Sequence, residues 1–302
     1  NQYRIPRENM LMGLAEVSPE GQYKKVAGGE KLGYGAMLDV RATLVIGASV
    51  ALARALTISV RYSVARKQGF KEEGSTAEHK VLDYPTQQAT LFPLLATAYA
   101  LHFMGQKFKT QYTSYLQTFD MTVLPGIHAS SSGLKAYSMQ MVCDGIEACR
   151  KMCGGHGYSL ACGIPELLGN YLAMCTLEGT QQVLEPQTGR YLIRALQAAR
   201  TSDNVNQEPI FVYDPELQHL KSSKTWDYVQ CGAISKDCFL NPKLQVQLFE
   251  VRAARAAMQA GGAVHQAIKR GEKSSWLSSC GVELGRASKA HCQLLLLREF
   301  TR

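Results

Sequence analysis

Residues 149–192 read CRKMCGGHGYSLACGIPELLGNYLAMCTLEGTQQVLEPQTGRYL, and the rest of the chain is organised around them. The stretch holds a Gly-Gly-His-Gly-Tyr turn at 154–158, a short segment with helical spacing, and one acidic residue, Glu178, set in Thr-Leu-Glu-Gly-Thr. Gly154 and Gly155 stop a preceding helix, and a new helix begins near Glu178 or Gly179 and runs toward Ala199. Glu178 follows a mostly apolar run at 167–177, broken by Asn170 and Thr176. A carboxylate held near apolar walls has a raised pKa and becomes a usable base near neutral pH. A glutamate at a helix start is also what the helix dipole favours, so both readings stand at this point. The glycines are likewise double-edged. They suit a left-handed helix cap, and they let a bare backbone approach a flat ring or a phosphate.

Outward from this stretch the chain reads as helix. On its N-terminal side, a helix over 131–152 places Ala136, Met139, Val142, Cys143, Ile146 and Cys149 on one face, with Pro125-Gly126 ending the connection before it. A long helix over 85–119 opens with Pro85 in its first turn, and Pro93 kinks it or marks its true beginning. Residues 69–82 read as a polar surface loop. A first long helix over 33–68 aligns Leu44, Ala48, Ala51, Ala55, Ile58, Tyr62 and Ala65. Many of these are small, which lets a neighbouring helix come close. Residues 1–30 lack helical periodicity and read as extended chain plus a turn, with a break at Gly28-Gly29.

Four long helices with modest connections predict an antiparallel bundle. After 192 comes a polar stretch at 201–215, then two more long helices over 243–269 and 274–300. The expected fold class is all-α: a four-helix bundle, a second smaller helical unit, and a short extended segment at the N-terminus. The expected organisation is 1–30 extended connection, 31–200 bundle, 201–225 linker and 226–302 second helical domain. Pro186 sits inside the predicted fourth helix, where a proline costs about 3 kcal/mol; it predicts a kink, or a regular helix delayed until after it.

Composition bounds the function. The 302 residues are 46% hydrophobic and 19% charged, enough for a real core. The net charge of +8 is spread without a basic run, which does not fit a nucleic-acid binder and is compatible with an anionic small substrate. The nine cysteines form no Cys-x-x-Cys pair and have no histidine at finger spacing, so no metal site is expected, and buried reduced thiols are. The longest apolar run, 44–60, is interrupted by Ser49, Arg54, Thr57 and Ser59, so no membrane span is expected.

Five blocks together carry a resemblance. They are Arg61-Tyr-Ser-Val-Ala-Arg-Lys-Gln68, Asp83-Tyr-Pro-Thr-Gln-Gln88 through Leu94-Leu-Ala-Thr-Ala-Tyr-Ala100, the 149–158 block, Cys175-Thr-Leu-Glu-Gly-Thr180, and Leu284-Gly-Arg-Ala-Ser-Lys-Ala-His-Cys292. Over essentially its whole length the chain resembles the C-terminal half of the peroxisomal acyl-CoA oxidases, in the acyl-CoA dehydrogenase superfamily. The resemblance implies a flavoenzyme that uses flavin adenine dinucleotide (FAD) to convert a fatty acyl-CoA to the trans-2-enoyl-CoA, with dioxygen reoxidising the flavin to give hydrogen peroxide. It implies Glu178 as the base that removes the proton alpha to the thioester, its backbone N–H bonding the thioester carbonyl. It implies flavin contacts from Arg66, Gln68, Gly154, Gly155, Gly157, Tyr158, Thr180 and Gln182. Arg66, Gln68 and the glycine turn would reach flavin across a homodimer interface. The family pattern Arg-x-Gln-Phe appears here as Arg66-Lys67-Gln68-Gly69-Phe70, with Gly69 inserted, and Leu177 replaces the aromatic residue usual before the glutamate.

A peroxisomal location follows from the resemblance alone, since Phe300-Thr301-Arg302 is no peroxisomal tripeptide. The same site residues fit a dehydrogenase that passes electrons to a flavoprotein. A chain that starts at Asn1, in what resembles the end of the family's β-domain, also fits a fragment holding half a site, or a non-catalytic helical interaction protein. On either of these the 302-residue chain alone is expected to be colourless.

Overall fold

The computed structural model describes residues 2–13, 15–25, 29–71, 74–221, 231–272 and 279–302, with the backbone alone at 29–36. The expected break at Gly28, the junction between linker and second domain at 222–230, and the expected helix start at 274–278 lie outside the described residues. The N-terminal segment is extended, as its lack of periodicity predicts. Strands β1 (Ala15–Val17) and β2 (Tyr23–Lys25) pair antiparallel.

Helix α1 (Gly29–Ala65) then opens the bundle, followed by α2 (Pro85–Thr118) and α3 (Leu124–Met152), the short α4 (Ile164–Leu172) and α5 (Gln181–Thr201). Two single-turn helices, α6 (Pro209–Val212) and α7 (Gln218–Lys221), lead toward α8 (Pro242–Lys269) and α9 (Gly281–Thr301). Cross-links fix the directions. Ser63 near the end of α1 meets Gln87 at the start of α2, whose amide also donates to the Met152 carbonyl at the end of α3. Arg41 at the other end of α1 meets Ser132 early in α3. Thus α1 and α3 run together and α2 runs against both. Helix α5 returns antiparallel to α3, its Thr188 hydroxyl donating to the Ala129 carbonyl at 2.7 Å. The all-α four-helix bundle is therefore observed.

The core explains the arrangement. Leu38, Val45, Leu52, Leu101, Phe108, Leu134 and Ile146 are fully buried where α1, α2 and α3 meet. Each such side chain contributes about 1.5–3 kcal/mol by leaving water. Helices α1 and α2 come close where α2 carries a glycine. At Gly105 of α2 an added Cβ would lie 3.1 Å from the Cα of Ile46, so the two backbones touch. The span Met37–Ala65 has a mean hydropathy of 1.8 in its most apolar window and is long enough to cross a membrane by length and composition. Its apolar face is spent on the bundle core. Helix α9 adds Cys292, Leu295 and Leu296 to that core, and adds Leu284 and Ala287 to a second cluster shared with α5 and α8.

Four local expectations are corrected. Helix α1 stops at Ala65 rather than at residue 68. Residues 69–82 are not simply loop: Lys67–Phe70 (β3) pairs antiparallel with Glu78–Lys80 (β4). Gly69 allows this with φ +85, because a Cβ there would overlap the Tyr84 hydroxyl, which donates to the Gln68 carbonyl at 2.8 Å. Helix α3 begins at Leu124, with Pro125 in its first turn, where a proline forfeits no hydrogen bond. Helix α5 begins at Gln181 and continues through Pro186. Only one intrahelical bond is lost there, and the ring is buried, so packing offsets the cost.

Candidate active site

Glu178 lies in the five-residue turn between the 3-10 segment Ala173–Cys175 and α5. The Thr176 and Leu177 N–H groups both donate to the Ala173 carbonyl, so the preceding helix is closed off before Glu178. Glu178 itself takes φ +56 and Gly179 φ +108. A left-handed conformation costs a non-glycine residue about 1–2 kcal/mol. A Cβ at Gly179 would press on Leu184 at 2.9 Å, so glycine is required there on two counts. Thr180 then caps α5 through its backbone, accepting from the Val183 and Leu184 N–H groups, while its side chain makes no capping bond.

Two buried cations lie beneath this turn. Arg41 of α1 is 4% exposed and Lys135 of α3 is 0% exposed. Arg41 Nη2 donates to the Glu178 carbonyl at 3.3 Å, and Lys135 Nζ donates to the Gly179 carbonyl at 2.7 Å. Arg41 Nη1 also donates to Ser132 Oγ at 3.0 Å, and Ser132 in turn donates to the His128 carbonyl at 2.8 Å. Burial lowers the pKa of both cations, and the Glu178 carboxylate pulls each back up. His128 is held below its ordinary pKa by burial and then by Arg41. Buried charges need partners, and here backbone carbonyls supply them through charge-assisted bonds.

The Glu178 carboxylate is exposed and makes no hydrogen bond or ion pair among the described residues. Leu177, beside it in the chain, and Val183 are each about half exposed, so among the described residues these two do not wall it in. Gln182, the second residue of α5, is exposed.

The remaining predicted residues gather elsewhere. The turn Gly154–Tyr158 follows the end of α3, with Gly154 and Gly155 open to solvent and Tyr158 84% exposed. Gly157 is buried, because an added Cβ would lie 2.0 Å from the Arg150 carbonyl oxygen. His156 packs its ring on Tyr62 of α1, with centroids 5.7 Å apart. That contact brings the turn next to Arg66 and Gln68, which follow the end of α1 and are exposed. Arg66 is fixed by its backbone, which donates to the Tyr62 carbonyl and accepts from the Val81 N–H. The predicted residues therefore form two groups. Glu178, Thr180 and Gln182 stand near Arg41, and Arg66, Gln68 and the glycine turn stand near Tyr62. Arg41 and Tyr62 are separated by 21 residues of α1, which is about 30 Å of helix.

Arg41, Lys135 and Ser132 were not singled out from sequence. A signal existed: Lys135 is in register with Met139, Val142, Ile146 and Cys149 on the apolar face of α3. A lysine on such a stripe must be buried, and a buried lysine needs a partner. Arg41 similarly falls between Leu38 and Val45 on the buried face of α1.

Comparison with known proteins adds the family context. Residues 34–193 match the family described as "Acyl-CoA oxidase, C-alpha1 domain", and residues 241–302 match the family described as "Acyl-CoA oxidase". The putative peroxisomal acyl-coenzyme A oxidase 1.2 of Arabidopsis thaliana is 37% identical over 303 residues, covering 99% of this chain and 44% of that protein. Peroxisomal acyl-coenzyme A oxidase 1 of Rattus norvegicus is 37% identical over 304 residues, covering 99% of this chain and 45% of the relative. Among solved structures, Arabidopsis thaliana acyl-CoA oxidase 1 superposes with a TM-score of 0.85 at 36% identity, covering 98% of this chain and 44% of that one. Caenorhabditis elegans acyl-CoA oxidase-2, bound with FAD, ascaroside-CoA and ATP, gives a TM-score of 0.84 at 32% identity, over 99% of this chain and 43% of that one. The chain thus spans less than half the length of the relatives it matches.

Proposed function

The chain belongs to the acyl-CoA oxidase family, and on that premise we propose that it forms the helical half of a peroxisomal, FAD-dependent oxidase of fatty acyl-CoA thioesters. The observation that carries this reading is the Glu178 turn. An exposed carboxylate, unpaired among the described residues, stands on a backbone held by two buried cations. Glu178 Oε takes the proton alpha to the thioester carbonyl. Its N–H takes no part in any hydrogen bond among the described residues, so it is open to donate to the thioester oxygen and stabilise the charge that develops there. FAD held beside Thr180 and Gln182 would supply the acceptor for the beta hydrogen as hydride, and its reoxidation by dioxygen would give hydrogen peroxide. Thr180 and Gln182 border the reacting centre with side chains that make no hydrogen bond among the described residues, which fits a flavin edge.

The separation of about 30 Å along α1 supports a homodimer. Glu178 of one subunit serves one flavin, while Arg66, Gln68, Gly154, Gly155, Gly157 and Tyr158 of the same subunit serve the other. Exposed Arg66 suits a pyrophosphate, and the open backbone at Gly154 and Gly155 suits close approach. In this reading, 31–200 is the flavin-binding bundle, 1–30 its connection to a β-domain, 201–225 a linker, and 226–302 a second helical domain. The isolated 302-residue chain is accordingly expected to purify colourless and inactive.

The test uses the full-length oxidase with long-chain acyl-CoA under air. Replacing a general base typically costs about 10²–10⁴-fold in rate. Glu178→Gln is expected to lose turnover on that scale while keeping its flavin. Retained turnover would remove Glu178 from the base's role. Reduced wild-type flavin that fails to react rapidly with dioxygen would instead mark a dehydrogenase using a flavoprotein acceptor.

A further inference from the structure

We propose that Arg41 and Lys135 are positioning residues that hold the Glu178-Gly179 turn in its left-handed conformation by drawing both carbonyls into the bundle. This rests on the reading of Glu178 as the base. The geometry carries it in three parts. First, Glu178 sits at φ +56, a conformation that needs support from its surroundings for a non-glycine residue. Second, the support comes from beneath: Lys135 Nζ at 2.7 Å from the Gly179 carbonyl oxygen and Arg41 Nη2 at 3.3 Å from that of Glu178. Third, these are the only hydrogen bonds that secure the backbone of 178–179 among the described residues, and neither cation pairs with a carboxylate there.

The consequence is a division of labour. With both carbonyls turned inward, the Glu178 side chain and N–H are left on the open side. The cations act on the peptide and leave the carboxylate unbridged, so it remains free to take a proton. Each cation also has a fixed anchor of its own. Lys135 is packed into the apolar stripe of α3, and Arg41 is tethered to Ser132, so the turn is referenced to the two most heavily packed helices of the bundle. A catalytic group must be held by elements that cannot shift, because a displacement of about 1 Å costs on the order of 100-fold in rate.

The experiment compares Lys135→Met, Lys135→Gln and Arg41→Lys with wild type in the flavin-loaded, full-length enzyme. Anaerobic flavin reduction by acyl-CoA is expected to slow by about 100-fold in Lys135→Met, with flavin content unchanged. Lys135→Gln removes the charge but keeps a donor for the Gly179 carbonyl, and is expected to recover part of the rate. A crystal structure of Lys135→Met is expected to show Glu178 outside the left-handed region. Wild-type reduction rates in Lys135→Met and Arg41→Lys, or an unmoved Glu178 in that crystal structure, would overturn the positioning role. If wild-type flavin is not reduced by acyl-CoA at all, the reading of Glu178 as base fails, while the variant's backbone at Glu178 still decides whether the cations hold the turn.

Discussion

Replacing Asp214 by asparagine is expected to stabilise the protein at neutral pH, and the structure gives both size and sign. Asp214 is buried at the start of the Pro215–Leu217 turn, where its Oδ1 accepts the Glu216 N–H at 3.1 Å. Burial, reinforced by the Glu216 carboxylate, pushes its pKa from 3.8 up to about 6, against the pull of the Glu216 N–H, Tyr191 and Lys107. Between those values the folded state keeps a proton that the unfolded chain has released. Stability from this group is therefore lost as pH rises through the window, and the loss is complete above about 6. Its size is about 3 kcal/mol, at about 1.4 kcal/mol per tenfold in proton affinity. Asparagine occupies the same space, keeps an acceptor for the Glu216 N–H and carries no such loss. Urea denaturation of both proteins across pH 4 to 7 measures it. The stability difference, Asp214→Asn minus wild type, is expected to grow by about 2 kcal/mol from the bottom of that range to the top, the rest of the effect lying below pH 4. Any fixed cost of the amide cancels between the two ends. A difference that is flat with pH would refute the assignment of a raised pKa to Asp214.

Two further perturbations test the packing that supports the site. Glu216→Ala removes a buried carboxylate that pairs with Lys107 and with Arg298 at 3.1 Å, and is expected to cost about 3 kcal/mol in chemical denaturation. That is the low end for a broken buried pair, because Lys107 keeps Glu299 at 2.7 Å and Arg298 keeps Glu250 at 2.8 Å. Gly157→Ala places a Cβ 2.0 Å from the Arg150 carbonyl, a backbone atom that cannot rotate away. A loss of about 3 kcal/mol is expected, read as a lowered melting temperature, with reduced flavin retention in the full-length oxidase. Alanine at the open Gly155 is the matched control, with little effect on stability because nothing lies within 4 Å of its new Cβ.

The sequence by itself determined the helical class, the four bundle helices to within a few residues apart from the start of α3, and the family to which the chain belongs. These are properties of local pattern. Apolar spacing marks a helix wherever it packs, and Glu178-Gly179-Thr180 or Gly154–Tyr158 can be read letter by letter. The hairpin of β3 and β4 was not legible, because its pairing depends on Tyr84 reaching back to the Gln68 carbonyl from the start of the next helix. That α5 is already regular before Pro186, rather than delayed until after it, was equally hidden, since the burial that offsets a lost hydrogen bond comes from neighbouring helices. Only the tertiary structure decided how the site residues are grouped. Helices α1 and α3 run in parallel, so their ends carry two separate sets of groups about 30 Å apart. The same packing put Arg41 and Lys135, 94 positions apart in the chain, under one turn. A buried cation in a sequence announces that it needs a partner, but which carbonyl it finds is set by where the helices cross.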